Sequence, residues 1–190
     1  MNISTTHDNP HRITRAKAGL VVVDIQERLL PGVFERERLV RNALLLIRGA
    51  AILRLPVFAT EQYPKGVGPT APELASAIPE FAPMQKVVFS CCGAPGFVGA
   101  LRAKSVSDVL LCGMEAHVCV MLTCFDLLEA GFCPFVVADA ISSRGEQNLR
   151  LAIERMREAG AVIVSTEMIL LELLGRAGTD EFKAMLPLLK

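Results

Sequence analysis

The chain has 190 residues, which is enough for one domain with a continuous core. Its 20 basic side chains balance its 20 acidic side chains, and no basic stripe stands out. This balance argues against a protein that binds nucleic acid through the phosphates. Hydrophobic residues make up 52% of the chain, more than the usual ~45–50%. We therefore expect a single copy to leave apolar surface exposed, and we predict a homo-oligomer.

The cysteines favour a cytoplasmic protein. All six lie between residues 91 and 133, several of them inside apolar runs. Small secreted domains spread their cysteines as a disulfide framework, and no secretory apolar segment is seen near the N-terminus. We expect reduced thiols, and no spacing of Cys and His is typical of a zinc site. The apolar runs are shorter than the ~20 residues that span a bilayer. The sequence predicts neither a membrane partner, nor a metal, nor another cofactor.

The order of the predicted elements indicates an α/β protein. Residues 1–18 are polar and predict a flexible N-terminal tail, so we expect the domain to span residues 19–190. Short apolar runs then alternate with amphipathic stretches, a pattern typical of βαβ units in a parallel sheet. The predicted strands are residues 20–24, 57–60, 86–89, 108–112, 135–138 and 162–165. The predicted helices are residues 37–55, 95–104, 116–130, 147–159, 167–174 and 179–189.

Asp24 ends the first predicted strand, in the run LVVVDIQ. In open parallel sheets ligands bind outside the carboxyl ends of the strands, where this carboxylate would lie. A carboxylate at that edge is suited to proton transfer. A helix N-cap or a surface-loop aspartate is the alternative, and the position alone leaves both interpretations open.

Cys119 follows the fourth predicted strand, in the run CGMEAHVCVMLTCF. The turn before it leads into a helix, so Cys119 falls in the first helical turn. We expect the amides and dipole of a helix start to lower the pKa of this thiol, and the same amides can hold an oxyanion. The alternative is a thiol that is buried as a small hydrophobe. That alternative suits the other five cysteines better: Cys91, Cys92, Cys112, Cys124 and Cys133.

The partners of such a thiol are less clear from spacing. Lys86 lies beside the apolar residues 87–89, where it either extends along the surface to reach water or stabilises a nearby thiolate and carboxylate. His117 is two residues from Cys119, about 200° away around a helix, so we expect no direct dyad. The other histidines, His7 and His11, lie in the polar tail. A Ser-His-Asp triad therefore cannot be assembled from this chain.

The segments VVVDIQ, KVVFS and GMEAHVC stand in the order and spacing of the isochorismatase-like cysteine hydrolases. From about Leu20 to the C-terminus the chain resembles that superfamily, and it looks closest to the small isochorismatase-domain-containing proteins. The segments ATEQYPKGVGPT, FSCC, VVADAISSR and LLELLGRAG also match. The resemblance implies a three-layer α/β/α, Rossmann-like fold with a six-stranded parallel sheet.

The resemblance also implies the roles of the site residues. Asp24 would take the thiol proton, Cys119 would attack, and Lys86 would hold the pair in its charged state. The family pattern further implies a cis peptide between Met114 and Glu115, so that amides near Glu115 and Cys119 form an oxyanion hole. A non-proline cis bond costs about 2.5–4 kcal/mol, the kind of strain that is found at functional sites.

The chain also departs from parts of the family. Nicotinamidases carry an Asp-x-His-x-His type of metal site after the second strand, whereas residues 61–64 here read EQYP. We therefore expect neither a metal nor nicotinamidase activity, and Glu61, Gln62 and Tyr63 become candidates for shaping a substrate pocket. Siderophore-pathway isochorismatases hydrolyse a vinyl ether and lack the nucleophilic cysteine. The presence of Cys119 favours hydrolysis of a C–N bond through a thioester.

The sequence thus predicts a cysteine-dependent hydrolase that cleaves an amide-type C–N bond of a small molecule. Two other interpretations stay open. One is a catalytically idle oligomeric scaffold or binding protein, suggested by the apolar surplus and the missing metal site. The other is a thiol redox sensor built on Cys91, Cys92 or Cys119.

Overall fold

One parallel sheet of six strands organises the protein, for which a computed structural model describes residue 9 and residues 11–190. The strand order is β3-β2-β1-β4-β5-β6. The strands are β1 (Ala18–Val23), β2 (Val57–Gln62), β3 (Met84–Lys86), β4 (Asp108–Met114), β5 (Cys133–Ser142) and β6 (Val162–Val164). Because the chain winds outward in both directions from β1 and β4, the crevice beyond their carboxyl ends is the topological switch point, where ligands bind in such folds.

Helices connect the strands and cover both faces of the sheet. The α-helices of the described residues are α1 (Arg36–Leu53), α2 (Pro64–Val67), α3 (Pro72–Ala77), α4 (Phe97–Ala103), α5 (Met121–Glu129), α6 (Glu146–Glu158), α7 (Thr166–Leu174) and α8 (Asp180–Leu189). A π-helical turn, Ala116–Val120, leads from β4 into α5. Among the described residues, no helix combines the length and the apolar character needed to cross a membrane.

The sheet separates two hydrophobic cores. Successive side chains of a strand point to opposite faces, so Leu20 and Val22 pack with α1, α3, α7 and α8, while Val21 and Val23 pack with α4, α5 and α6. All six residues of β1 are buried, as expected for a parallel strand that is covered on both faces. The expected three-layer α/β/α fold with a six-stranded parallel sheet is confirmed.

The third strand differs from its prediction. The strand was expected over residues 86–89, but β3 is Met84–Lys86, and Lys86 ends it. The Lys86 ammonium donates hydrogen bonds to the carbonyl oxygens of Phe89 (2.8 Å) and Val88 (3.4 Å). With these two bonds the chain turns around the ammonium group, and residues 87–89 lie outside the sheet. The two short helices α2 and α3 were not predicted; each begins at a proline, which suits the first helical turn.

The N-terminal boundary also differs. Within the predicted tail, Ile13 is buried and the Arg15 guanidinium pairs with Glu181 at 2.7 Å. Ala18 is already the first residue of β1. The packed domain therefore begins several residues before position 19. Residues 1–8 and residue 10, on which the rest of the tail prediction falls, lie outside the described residues.

Candidate active site

Four neighbouring strands deliver polar side chains to one edge of the sheet. Asp24 follows β1, Gln62 ends β2, Lys86 ends β3, and Cys119 lies in the π-helical turn after β4. The strands are parallel, so their carboxyl ends meet at the same edge. Asp24, Lys86 and Cys119 are only 2%, 4% and 5% exposed, respectively. The fold thus brings the three predicted catalytic partners to the switch point and removes them from bulk water.

Asp24 and Lys86 form a buried ion pair. The Lys86 Nζ lies 2.6 Å from Asp24 Oδ2, and both side chains are almost fully inaccessible. The same ammonium donates to Gln62 Oε1 and to the Phe89 carbonyl oxygen, each at 2.8 Å. An ammonium has three protons to donate, and these three short contacts use them. Because a buried charge requires a counter-charge and hydrogen bonds, each member of the pair supplies a partner that the other needs at this buried position.

The second oxygen of Asp24 is also fixed. The Thr60 hydroxyl donates to Asp24 Oδ1 at 2.8 Å. The Asp24 backbone has φ 52°, a left-handed conformation that Asp tolerates better than most residues. Its amide donates to the Thr60 carbonyl oxygen at 3.2 Å, which anchors the turn that follows β1. The carboxylate is therefore held in one orientation by β2 on one side and by Lys86 on the other.

The Cys119 thiol is protonated in this environment. The pKa of Cys119 is raised to about 12, mainly by burial and then by the negative charge of Asp24; the positive charge of Lys86 opposes the shift, and a hydrogen bond with Asp24 adds to it. The expected lowering of this pKa by the helix start is wrong, because burial and the neighbouring carboxylate outweigh one short helical turn. At neutral pH the thiol proton thus lies beside a fixed carboxylate.

A second thiol borders the same carboxylate. Cys91 is fully buried, and its Sγ lies 3.4 Å from Thr60 Oγ1. Its amide donates to the Thr123 hydroxyl of α5 at 2.8 Å. The pKa of Cys91 is raised to about 11 by burial and by the charge of Asp24, while Lys86 acts to lower it. Cys91 was not among the predicted site residues; its position in FSCC, shortly after Lys86 and at the same sheet edge, was the available signal.

The turn before Cys119 differs from the expectation. The peptide bonds of the described residues are all trans, so the predicted cis peptide between Met114 and Glu115 is wrong. Glu115 makes the turn in the left-handed region instead, with φ 55° and ψ 58°. Gly113 also has a positive φ of 149°, and a Cβ there would overlap the carbonyl of Val23. These two conformations direct the chain from β4 into the turn that carries Cys119.

The side chains around this turn form a second polar group. Glu115 Oε1 lies 3.3 Å from Arg144 Nε. Glu115 Oε2 is buried and makes no hydrogen bond with any of the described residues; it lies 3.6 Å from His117 Nδ1. The same His117 nitrogen is 2.9 Å from the Ser143 hydroxyl. His117 is therefore engaged by Ser143, in keeping with the prediction that it forms no dyad with Cys119.

The three candidates for the substrate pocket are separated by the structure. Glu61 Oε1 accepts hydrogen bonds from the amide and hydroxyl of Thr70, at 2.7 and 2.9 Å, so this carboxylate fixes a loop. Gln62 contacts the Lys86 ammonium. Tyr63 is 54% exposed and lines a cleft of about 480 Å³ next to Lys86. Their role in binding substrate stays a prediction.

This sheet order, with a buried Asp, Lys and Cys at the switch point, defines an α/β protein with the fold of the isochorismatase-like hydrolases. The chain belongs to the isochorismatase family, because its residues 18–168 match the family model described as the isochorismatase domain. The membership expected from the sequence motifs is confirmed.

Relatives and solved structures agree with this assignment. Isochorismatase domain-containing protein 2 of Danio rerio is 36% identical over 178 residues, covering 94% of this chain and 89% of the relative. The MAR1 ribonuclease structure from Caenorhabditis elegans is 38% identical with a TM-score of 0.88, covering 93% and 91% of the two chains. YcaC of Escherichia coli, described as an octameric hydrolase of unknown specificity, is 26% identical with a TM-score of 0.87, covering 93% and 90%. YcaC of Pseudomonas aeruginosa, solved with hexane-2,5-diol and covalent acrylamide, is 29% identical with a TM-score of 0.86, covering 93% and 91%.

Proposed function

We propose that this chain is a cysteine hydrolase that cleaves an amide-type C–N bond of a small molecule through a thioester. The observation that carries the proposal is the protonated Cys119 thiol beside the fixed Asp24 carboxylate. A general base must lie next to the proton that it abstracts, and a thiol becomes a strong nucleophile once that proton is removed. Lys86 and Thr60 are positioning residues, because they act on the substrate only through Asp24.

In the proposed reaction, Asp24 takes the Sγ proton while the Cys119 sulfur attacks the amide carbon. Backbone amides near Glu115 and Cys119 hold the resulting oxyanion. The C–N bond then breaks, and Asp24 returns the proton to the leaving nitrogen. Water next attacks the thioester and gives a proton to Asp24, which passes it to the departing sulfur. The products are a carboxylic acid and an amine, and the resting thiol is restored.

The relatives support this proposal. The Pseudomonas aeruginosa structure holds covalent acrylamide, an electrophile of the kind that thiols attack. The Escherichia coli relative is an octameric hydrolase, which supports our proposal that this chain also forms a homo-oligomer. We place the enzyme in the cytoplasm, where thiols stay reduced, since all six cysteines are free in the structure.

The test is a panel of small amides, ureas and carbamates, assayed with the wild type, Cys119→Ala and a control variant, Cys92→Ala. Cys92 follows Cys91 in the chain, but Asp24 is not among the groups that shift the pKa of Cys92. We expect turnover and an acyl adduct, detected by mass spectrometry, in the wild type and in Cys92→Ala. Cys119→Ala should lose both the turnover and the adduct, and normal turnover in that variant would contradict the mechanism.

One relative suggests a second candidate reaction. The Caenorhabditis elegans protein is named a ribonuclease, so RNA belongs in the same panel. The zero net charge of this chain favours a small neutral substrate over a polyanion. RNA cleavage that disappears in Cys119→Ala would replace the amide as the substrate class.

The other interpretations from the sequence make different predictions. A redox sensor built on Cys91, Cys92 or Cys119 would show reversible oxidation by mild peroxide that changes activity or assembly. Of these thiols, Cys91 and Cys119 both feel the charge of Asp24. A scaffold would assemble but turn over nothing in the panel.

A further inference from the structure

We infer that Cys91 and Thr123 are positioning residues for Asp24, the base of the proposed reaction. They complete a chain of hydrogen bonds that reaches the Asp24 carboxylate through the Thr60 hydroxyl. This hydrogen-bond chain runs from α5 to the loop after β3, then to β2, and ends at the turn after β1. The role rests on the proposed function, but the bonds themselves can be measured without any turnover.

The direction of the contact between Cys91 and Thr60 follows from a count of protons. The Cys91 Sγ and the Thr60 Oγ1 lie 3.4 Å apart, a distance at which either atom could donate. The Thr60 hydroxyl has one proton, and it donates that proton to Asp24 Oδ1 at 2.8 Å. A carboxylate is a stronger acceptor than a thiol. The Cys91 thiol is therefore the donor, and the bonds run from Sγ–H to Oγ1–H to Oδ1.

The Cys91 thiol has a proton to donate at neutral pH. Burial, and after it the charge of Asp24, raises the pKa of Cys91 to about 11. Both Cys91 and Thr60 are buried, so bulk water does not compete for their hydrogen bonds. A buried polar group that loses its partner bears the full cost of desolvation. The thiol and the hydroxyl therefore keep the partners that the fold gives them.

Thr123 forms the far end of the hydrogen-bond chain. It is a buried residue in the first turn of α5. Its hydroxyl accepts from the Cys91 amide at 2.8 Å and also makes a hydrogen bond with the Cys91 side chain. A threonine in a helix can instead bond to a carbonyl of its own helix. Here the hydroxyl is committed to the loop after β3, so it fixes both the backbone and the thiol of Cys91.

The hydrogen-bond chain determines how the Asp24 carboxylate is held. Lys86 fixes Oδ2 at 2.6 Å, and the chain fixes Oδ1 through Thr60. Successive hydrogen bonds polarise one another, so the Cys91 donor strengthens the bond from Thr60 to Asp24. A general base acts only when it lies within hydrogen-bond reach of the proton that it takes. The chain thus keeps the carboxylate in the orientation that serves the Cys119 thiol, with which Asp24 makes a hydrogen bond.

Cys124 offers a matched control for Cys91. It is fully buried in the same hydrophobic core. Its pKa is raised to about 12 by burial alone, and its thiol makes no hydrogen bond with the described residues. Alanine removes the same sulfur atom at either position. A difference between Cys91→Ala and Cys124→Ala therefore reports the hydrogen-bond chain and not the loss of packing.

The first test is the S–H stretching band in the Raman spectrum at pH 7, because this band moves to lower frequency when a thiol donates a hydrogen bond. The difference spectrum between the wild type and Cys91→Ala isolates the Cys91 band, and the difference with Cys124→Ala isolates the control band. We expect the Cys91 band at the lower frequency of the two, and we expect it to move upward in Thr60→Val. Equal frequencies for the two thiols, or a Cys91 band that ignores Thr60→Val, would overturn the inference.

The second test is kinetic and uses the substrate that the amide panel identifies. Cys91→Ala should lower kcat by roughly 2–10-fold, the effect of one hydrogen bond. KM should stay unchanged, because Cys91 does not touch the substrate in the proposed reaction. Cys91→Ser, whose hydroxyl can also donate to Thr60, should restore kcat, and Cys124→Ala should keep the wild-type value. Equal losses in the two alanine variants, or no rescue by serine, would contradict a positioning role.

Circular dichroism checks that each variant is folded. If Cys91→Ala does not fold, Cys91→Ser supplies the difference spectrum, since it also lacks the S–H band, and Thr123→Val takes its place in the kinetic test. A wild type that turns over nothing in the panel would count against the proposed function alone. The Raman bands would then still decide whether the hydrogen-bond chain exists.

Discussion

Replacing Lys86 with methionine tests the electrostatics of the buried pair. The substitution keeps a long apolar side chain but removes an ammonium that lies 2.6 Å from Asp24 Oδ2 and is almost fully inaccessible. The Asp24 carboxylate is then left buried without its counter-charge. Removing one partner of a buried pair costs about 3–5 kcal/mol. For a chain of this size that corresponds to a melting temperature lower by roughly 6–20 °C.

A double-mutant cycle identifies the cause of this loss. In Lys86→Met/Asp24→Asn the stranded charge is gone, while Asn tolerates the left-handed backbone and still accepts from Thr60. We expect the double variant to be more stable than Lys86→Met alone by about 1–3 kcal/mol. The assay is urea unfolding at pH 7, followed by circular dichroism.

The matched control is Lys65→Met, at an exposed lysine that lines the cleft of about 480 Å³ beside Lys86. This substitution should change the free energy of unfolding by less than about 0.5 kcal/mol. The reasoning fails if Lys86→Met costs less than about 1 kcal/mol, or if the two single effects simply add.

Three further predictions follow from the same contacts. Alkylation of Cys119 by iodoacetamide, located by peptide mass spectrometry, should be slow at pH 7 and rise towards pH 12, since its pKa is about 12; a plateau below pH 9 would contradict this. The pKa of Cys112 is also raised by burial to about 12. The contribution of this thiol to the free energy of unfolding should therefore be intact below about pH 9 and fall above it, by up to ~1.4 kcal/mol per pH unit. Urea titrations in which Cys112→Ala loses stability with pH as steeply as the wild type would refute this prediction. Thr60→Val should cost about 1–3 kcal/mol in urea unfolding and lower kcat, whereas Thr60→Ser should restore both; equal effects of the two substitutions would argue against the hydrogen bond to Asp24.

Much of the fold could be predicted because a buried strand is indicated by the apolar residues of its own short run of sequence. The run LVVV that precedes Asp24 has an apolar residue at every position, as a strand covered on both faces requires, and β1 includes it. The position of Asp24 at the end of that run was then enough to place it at the ligand-binding edge. The position of Cys119 was found by the same reasoning from β4.

The features that the sequence did not predict depend on contacts between distant segments. β3 is a three-residue edge strand, and its end is set by the Lys86 ammonium that binds carbonyl oxygens of the following residues. The pKa of Cys119 was expected to fall because the helix start is visible in the local sequence, whereas the burial and the Asp24 charge that raise this pKa arise only in the fold. The place of Cys91 beside Thr60 likewise requires β2 and the chain after β3 to meet.

The bond between the Cys91 amide and the Thr123 hydroxyl links two segments that carry the thiols. Cys91 belongs to the loop after β3, and Thr123 lies about one helical turn beyond Cys119. A buried hydrogen bond therefore joins the loop to the helical segment that carries the proposed nucleophile, and moving either segment outward would break this bond. Thr60 adds a second link, because its hydroxyl contacts both the Asp24 carboxylate and the Cys91 sulfur. Changes in the exposed side chains of that loop can accumulate without altering the spacing of the sulfurs.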